Sequence, residues 1–248
     1  EISGSFRTQV FPNGDPVNDV RSDMSFAQSI DCDLVLELEE TIEEGCGSSY
    51  VMTRTWTATD DCGNATSASQ TITVQDLTPP TIVDNATDIT VECDGFGNVS
   101  DLQSWLDSNA GAIATDACGD VIWSNDYNGL SDLCGSTGAA TVMFTATDEC
   151  GNQSTTMATF TIEDTTLPTA LTSDMTIELD ASGNASISAS DIDNGSSDSC
   201  GGVTLSLDVT DFSCTNVGEN IVTLTVTDAC SNQSTATATV TVVDDVDP

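Results

Sequence analysis

TRTWTATDDCGNATSASQTITVQD at 53–76, TVMFTATDECGNQSTTMATFTIED at 141–164 and IVTLTVTDACSNQSTATATVTVVD at 221–244 are three versions of one block. Asp60, Asp148 and Asp228 fall in register at offsets of 88 and 80 residues, and Cys62, Cys150 and Cys230 keep the same offsets. Self-similarity at such a period marks tandem structural units. It divides the chain into a module at 1–78 whose N-terminal part is incomplete or divergent, a four-cysteine module at 79–166, and a module at 167–248 that runs into a further linker.

Each block reads as two strands around a tight polar turn. In the third, Val222, Leu224 and Val226 alternate with Thr223, Thr225 and Thr227, and Val240 and Val242 alternate with Thr239 and Thr241. Period two with β-branched threonine outward describes a half-buried antiparallel strand. The same inward slots hold Phe144, Ala146, Phe160 and Ile162 in the second module and Trp56, Ala58, Ile72 and Val74 in the first. The turns DDCGN, DECGN and DACSN supply residues that tolerate tight or left-handed backbone. Further strands are predicted at 174–179, 185–189 and 203–209. Many short strands between Gly, Asn and Asp clusters make the fold all-β: tandem immunoglobulin-like β-sandwich modules joined by short proline-containing linkers.

Two places depart from the pattern. Arg54 stands where Val142 and Val222 stand. Burying an unpaired guanidinium is costly, so its stem is expected to cover apolar surface and its head to reach solvent or an acidic partner near the sheet end. In DLQSWLDSN, Leu102, Trp105 and Leu106 share a helical face with Ser100 as a cap, predicting one short helix over a sandwich edge.

The linkers repeat as well: LTPP follows Asp76, TTLP follows Asp164 and DVDP follows Asp244, so that Pro80, Pro168 and Pro248 share the block offsets. Proline restricts φ and removes a donor, which makes short, stiff connectors. Pro248 closes the third copy of the linker, and the expected parent is a longer array.

Composition narrows the function. The 248 residues carry 3 Lys and Arg, 41 Asp and Glu, no His and a formal net charge of -38. That balance repels nucleic acid and anionic membranes and makes cations the natural partners. With 38% apolar residues and clean strand periodicity, the chain is expected to fold despite an aromatic content of only 5%. Ten cysteines without a CxxC pair or a His exclude the usual zinc sites and a His-activated nucleophile, and favour an oxidising extracellular compartment. No apolar run approaches 18 residues and no signal peptide is present, so a mature segment without direct membrane insertion is expected.

The cysteines divide by module into Cys32, Cys46 and Cys62; Cys93, Cys118, Cys134 and Cys150; and Cys200, Cys214 and Cys230. The recurring short spacings suggest the pairs Cys32–Cys46, Cys118–Cys134 and Cys200–Cys214, leaving Cys93 for Cys150. Each short loop closed this way would contribute about 3 kcal/mol through unfolded-state entropy. The alternative joins the upstream-loop cysteines to those of the terminal hairpin. Cys62 and Cys230 lack an intramodule partner; they are free, bond outside this segment, or overturn the short-loop pairing.

Three groups of acids recur at structural boundaries: Asp60, Asp61, Asp148, Glu149 and Asp228 in the hairpin turns; Asp76, Asp164, Asp244 and Asp245 in the linkers; and Asp116 and Asp198 just before cysteines. In a sandwich whose first and last strands run parallel, the hairpin turn lies at the entry end of its module. Asp148 should then approach Asp76, and Asp228 should approach Asp164. Calcium takes six to eight oxygen ligands, and clustered carboxylates at a junction suit a closed structural Ca2+ site. Seven Asn-x-Ser/Thr triplets, among them those at Asn64, Asn152 and Asn232, are potential glycosylation acceptors.

These blocks, with DITVECDGFGN, ATDACG and LDASGNASISASDIDNGSSDSCG, resemble the HYR-like, immunoglobulin-like repeats of very large secreted proteins of Bacteroidota, particularly flavobacteria. The resemblance spans most of the chain and is weakest over 1–28. It implies export by the type IX secretion system, a cell-surface location among adhesins, the Cys200–Cys214 bridge and the four-cysteine form of the second module. It carries no enzymatic residue set. The function expected is therefore a non-enzymatic stalk, filament or adhesin segment whose partners are further modules of the same polypeptide, or other chains in a homo-oligomeric filament. A second reading has the modules bind a surface glycan or protein through Trp105, Trp123, Asn125 or Tyr127, for which local core packing is the simpler account.

Overall fold

The computed structural model describes residues 7–8, 22–23 and 34–245. Cys32 and Pro248, used in the readings above, lie outside the described residues. Two compact units result: Glu1–Gly45 with Ser49–Gln75, and Cys46–Ser48 with Asp76–Pro248.

In the first unit, β1 (Arg7–Thr8) pairs antiparallel with β2 (Ser22–Asp23). The long strands β3 (Leu34–Glu44), β4 (Tyr50–Asp60) and β5 (Ala65–Val74) form an antiparallel sheet in that order. Its register sets Leu38, Trp56 and Ala68 abreast, and likewise Ile42, Met52 and Ile72. Only Met52 on this face is fully buried, at 7% exposure, while Leu38 and Ile42 are 52% and 57% exposed. The expected inward slots are thus half-covered at Trp56, Ala58 and Ile72 and open at Val74. Arg54 finds its acidic partner, but in mid-sheet rather than near an end: its Nε donates to Glu40 Oε1 at 2.6 Å from the directly paired position. Cross-strand pairing puts the two side chains side by side without either reaching an end.

The second unit contains the same four-stranded sheet twice. After β6 (Thr81–Asp84), strand β7 (Ile89–Glu92), helix α1 (Val99–Asp107), β8 (Ile113–Thr115), β9 (Ile122–Asn125), β10 (Gly138–Thr147) and β11 (Gln153–Glu163) give a sheet ordered β7-β11-β10-β9 and a pair β6-β8. Then β12 (Met175–Glu178), β13 (Asn184–Ser186), α2 (Ala189–Ile192), β14 (Thr204–Leu207), β15 (Asp211–Ser213), β16 (Gly218–Thr227) and β17 (Gln233–Val243) give β12-β17-β16-β14 and a pair β13-β15. β7 runs parallel to β11 and β12 runs parallel to β17, as the sequence reading requires. This is an all-β fold of tandem immunoglobulin-like modules.

The predicted core slots close here. Phe144, Ala146, Phe160 and Ile162 are buried in one module, and Val222, Leu224, Val226, Val240 and Val242 in the other. Residue 185–189, expected as strand throughout, yields to α2 from Ala189, which a Ser188–Asp191 capping box starts. Helix α1 starts two residues earlier than a Ser100 cap would set it: Asn98, at φ 47°, is the cap residue, and Ser100 lies in the first turn. Nor does α1 merely cover an edge, since Trp105 meets Phe144 edge-on at 5.3 Å and lies 5.6 Å from Phe160 in the core. Trp123 and Tyr127 pack against that same core, which accounts for them as packing residues.

Candidate functional site

The hairpin turns are built by their aspartates. Asp148 Oδ1 accepts from the backbone N–H groups of Cys150 and Asn152, both at 2.8 Å, while Oδ2 accepts from the Asn152 side-chain amide at 2.8 Å. Asp228 repeats this with Cys230 and Asn232. Asp60 does the same with Cys62 and Asn64. Burial opposes the Asp148 carboxylate, but hydrogen bonds from Asn152, Cys150 and Gly151 together outweigh it and hold its pKa below the ordinary carboxylate value. The Asn64 side chain foremost depresses Asp60 likewise. The three potential glycosylation asparagines in these turns therefore already spend their amides on the turn.

These turns hold the linkers. Asn152 Nδ2 donates to Asp76 O at 3.2 Å, and Ser154 Oγ donates to Pro80 O at 2.6 Å. Asn232 Nδ2 donates to Asp164 O at 3.0 Å, and Ser234 Oγ donates to Pro168 O. Pro80 and Pro168 are both buried. The stiffness expected of proline is thereby reinforced by a side chain clamping the carbonyl of each.

Two carboxylate clusters follow from this docking. Ligand atoms of Asp76, Asp116 and Cys118 all lie within 4.8 Å of one another, and those of Asp164, Asp198 and Cys200 do the same. The first lines a groove of about 280 Å³ together with Thr78 and Pro79. Asp116 Oδ1 accepts from Cys118 N at 2.7 Å, and Asp198 Oδ1 from Cys200 N at 2.6 Å, so each acid also fixes the turn beside it. Asp164 is 8% exposed. Burial first, then the Asp198 charge, with lesser pushes from Asp228 and Glu92, raise its pKa against the opposing hydrogen bond from Thr166 N–H. Burial first, then Asp76, Asp116 and Asp148, push the Cys118 thiol up. No Lys or Arg follows Arg54 in the sequence, so no basic side chain of the second unit neutralises either cluster.

The remaining sequence-selected acids lie apart. Asp60 ends β4, half-buried, and Asp61 is exposed in the turn that follows. Glu149 lies against Gly119, its Cδ 3.2 Å from where a Cβ there would stand. Asp244 follows β17 and joins neither cluster.

The cysteine pairing corrects the sequence reading. Cys46 is bonded to Cys150, Cys93 to Cys200, and Cys134 to Cys230, across sequence separations of 104, 107 and 96 residues. The short-loop pairs Cys118–Cys134 and Cys200–Cys214 are absent, as is Cys93–Cys150, and Cys46 is unavailable to Cys32; Cys62, Cys118 and Cys214 are free thiols. The physical reason is the stacking of loops. The loop after Cys134 meets the next module, with Ser136 N–H donating to Cys200 O at 2.7 Å, and Ser48 Oγ donates to Cys118 O at 3.2 Å at the other cluster. Gly47 and Gly135, at φ 54° and 58°, permit this approach. A Cβ on Gly47 would stand 2.7 Å from Cys118 O, and one on Gly135 would strike Cys200 O. Equal spacing within every module also means equal spacing between modules, so spacing could not choose. The stranded Cys230 was the available signal.

No protein-family model matches the chain, and no curated protein sequence is significantly similar to it. Among solved structures it is similar to Drosophila N-cadherin EC1-4, with a TM-score of 0.32 and 11% identity over 98% of this chain and 76% of that one. It is also similar to mouse cadherin-23 EC22-24, with a TM-score of 0.33 and 11% identity over 98% of this chain and 100% of that one. An I-band fragment of titin aligns with a TM-score of 0.32 and 8% identity over 90% of this chain and 91% of that one. Likenesses this low carry no functional argument, and the fold stands on the strand order described above.

Proposed function

We propose that the chain is a non-enzymatic structural segment of an extracellular or cell-surface stalk, filament or adhesin, stiffened by disulfides and by calcium at the Asp76 and Asp164 clusters. One observation carries the structural part: the disulfides join modules to each other rather than closing loops within them. Cross-links of this kind restrict the angle between successive modules, which is what a spacer needs. Disulfides also favour an oxidising compartment. Among the described residues no helix is long and apolar enough to cross a membrane. The repeat motifs keep the resemblance to HYR-like modules of Bacteroidota surface proteins, and with it the reading of type IX export.

Calcium is supported by the donor chemistry. Each cluster gathers two carboxylates beside a cysteine, and hard oxygen donors suit Ca2+. At the second cluster the Cys200 sulfur is spent in a disulfide, leaving Asp164 and Asp198, with Asp228 and Glu92 close enough to repel Asp164. A cation there would relieve that repulsion. Small-angle scattering of the chain in calcium and then in chelator tests the reading. A longer, less variable particle and a higher melting temperature in calcium are expected; unchanged dimensions and stability would remove calcium from the proposal.

A further inference from the structure

Cys46 and Cys62, Cys134 and Cys150, and Cys214 and Cys230 flank β4, β10 and β16 at a constant separation of 16 residues. The first member of each pair is a loop cysteine and the second a hairpin-turn cysteine. Twice in this chain the loop cysteine of one module bonds the hairpin cysteine of the next, as Cys46–Cys150 and as Cys134–Cys230. The middle module therefore gives at one end of β10 and receives at the other. Complementary groups at opposite ends of one unit make a head-to-tail contact, which repeats until something caps it.

Cys62 and Cys214 are the members of this set whose thiols are free, and both are exposed. The Cys62 turn is already shaped as a receiver: Asp60 Oδ1 accepts from Cys62 N at 2.9 Å and Asn64 N at 2.8 Å, matching the turns of bonded Cys150 and Cys230. We propose that Cys214 forms the next rung of an intermodule disulfide ladder with the hairpin cysteine of a module of this same repeat, and that Cys62 receives the loop cysteine of another. Leu179 fills the backbone position of Cys93, its N–H bonding Val243 O as that of Cys93 bonds Glu163 O. The Cys214 rung is therefore a lone staple, like Cys46–Cys150, with no companion of the Cys93–Cys200 kind. Thr215 stands where Gly47 and Gly135 take positive φ, so this rung closes more slowly than the other two.

Closure is a two-electron oxidation by a disulfide donor. The Cys214 thiolate attacks the donor and expels one thiolate; the hairpin cysteine's thiolate then attacks the mixed disulfide and expels the second. Two protein thiols are oxidised and one donor disulfide is reduced to two thiols.

Two arms in a glutathione redox buffer, read by non-reducing peptide mapping, test this and identify the partner's source. The full chain at high concentration offers a second copy; a Cys62–Cys214 peptide is expected, lost on Cys62→Ser. The full chain joined through Pro248 to a second copy of residues 81–248 offers a neighbour in the same polypeptide. There Cys214 should bond the second copy's Cys150, lose that bond on Cys214→Ser, and close severalfold faster on Thr215→Gly. A rung in the second arm alone assigns it to neighbours in one polypeptide, and a rung in the first assigns it to separate copies as well. Closed Cys46–Cys150 and Cys134–Cys230 in the same digests certify folding. If Cys214 stays open to iodoacetamide in both arms while those two are closed, or links only to another Cys214, the ladder is overturned. The inference rests on the spacer reading only through the disulfide pattern: a null calcium titration leaves it standing, and an open Cys214 leaves calcium standing.

Discussion

The Asp76 and Asp164 clusters are built on one plan and closed differently. Both dock a linker carbonyl on a hairpin asparagine, both bury a linker proline, and both gather two carboxylates and a cysteine. At the second, Cys200 is bonded to Cys93 and the neighbouring staple Cys134–Cys230 is also present. At the first, only Cys46–Cys150 is closed and Cys118 keeps its thiol. The difference is one bond: Cys93, directly after β7, closes on Cys200, whereas the corresponding Cys118 keeps its thiol. A repeat can thus keep its docking geometry while varying its covalent closure from one junction to the next.

That contrast can be broken from its strong end. Replacing both members of Cys46–Cys150 by serine removes a cross-link over 104 residues. Thermal or denaturant unfolding should show a loss of about 4–5 kcal/mol, the value for closing a loop of about 100 residues. Converting the second cluster to the pattern of the first, by Cys93→Leu with Cys200→Ala, should cost about 2–4 kcal/mol. Leucine restores apolar volume, as Leu179 does in the following module, and Cys134–Cys230 still holds the two modules. An equal or larger loss than for the first pair would mean that the two staples do not share the load.

Smaller effects sharpen the electrostatic side. The Cys118 thiol, raised by burial and by Asp76, Asp116 and Asp148, should alkylate more slowly at pH 8 than exposed Cys62 and Cys214. Asp116→Asn should accelerate it; an unchanged rate would leave burial, Asp76 and Asp148 as the causes. Asp164 and Asp148 should respond to pH with opposite signs. The Asp164 pKa is raised, so its stabilising contribution is full below the ordinary 3.8 and is lost as pH rises through the folded value. In chelator, Asp164→Asn should therefore raise the melting temperature slightly at pH 7 and leave it unchanged below pH 3.8. The Asp148 pKa is lowered from 3.8, so its contribution is present above that value and lost as pH falls through the folded one. Asp148→Asn should lower the melting temperature at neutral pH only.

Much of the fold was legible because its signals are local. Alternating Val222, Leu224 and Val226 predicts a one-sided strand, and these residues are fully buried. The reading that each hairpin turn lies at the entry end of its module assumed a parallel pairing, which β7 makes with β11 and β12 with β17. What misled was also local. Trp56, Ala58 and Ile72 share the pattern of Phe144, Ala146 and Phe160, yet they are only half-covered, because burial depends on what lies opposite and not on alternation. Asn98 takes a left-handed conformation and starts α1 before the serine that capping preference would choose.

By itself, then, the sequence determined the repeat, its strands, the proline linkers and the acidic character of the junctions, since periodicity, φ restriction and charge are properties of residues in order. Only the tertiary structure decided which cysteines bond and which acids converge. A disulfide needs two Cα atoms about 5–6 Å apart. Cys134 reaches Cys230 at 5.1 Å although Cys118 is far nearer in sequence, because the loop of one module lands on the turn of the next.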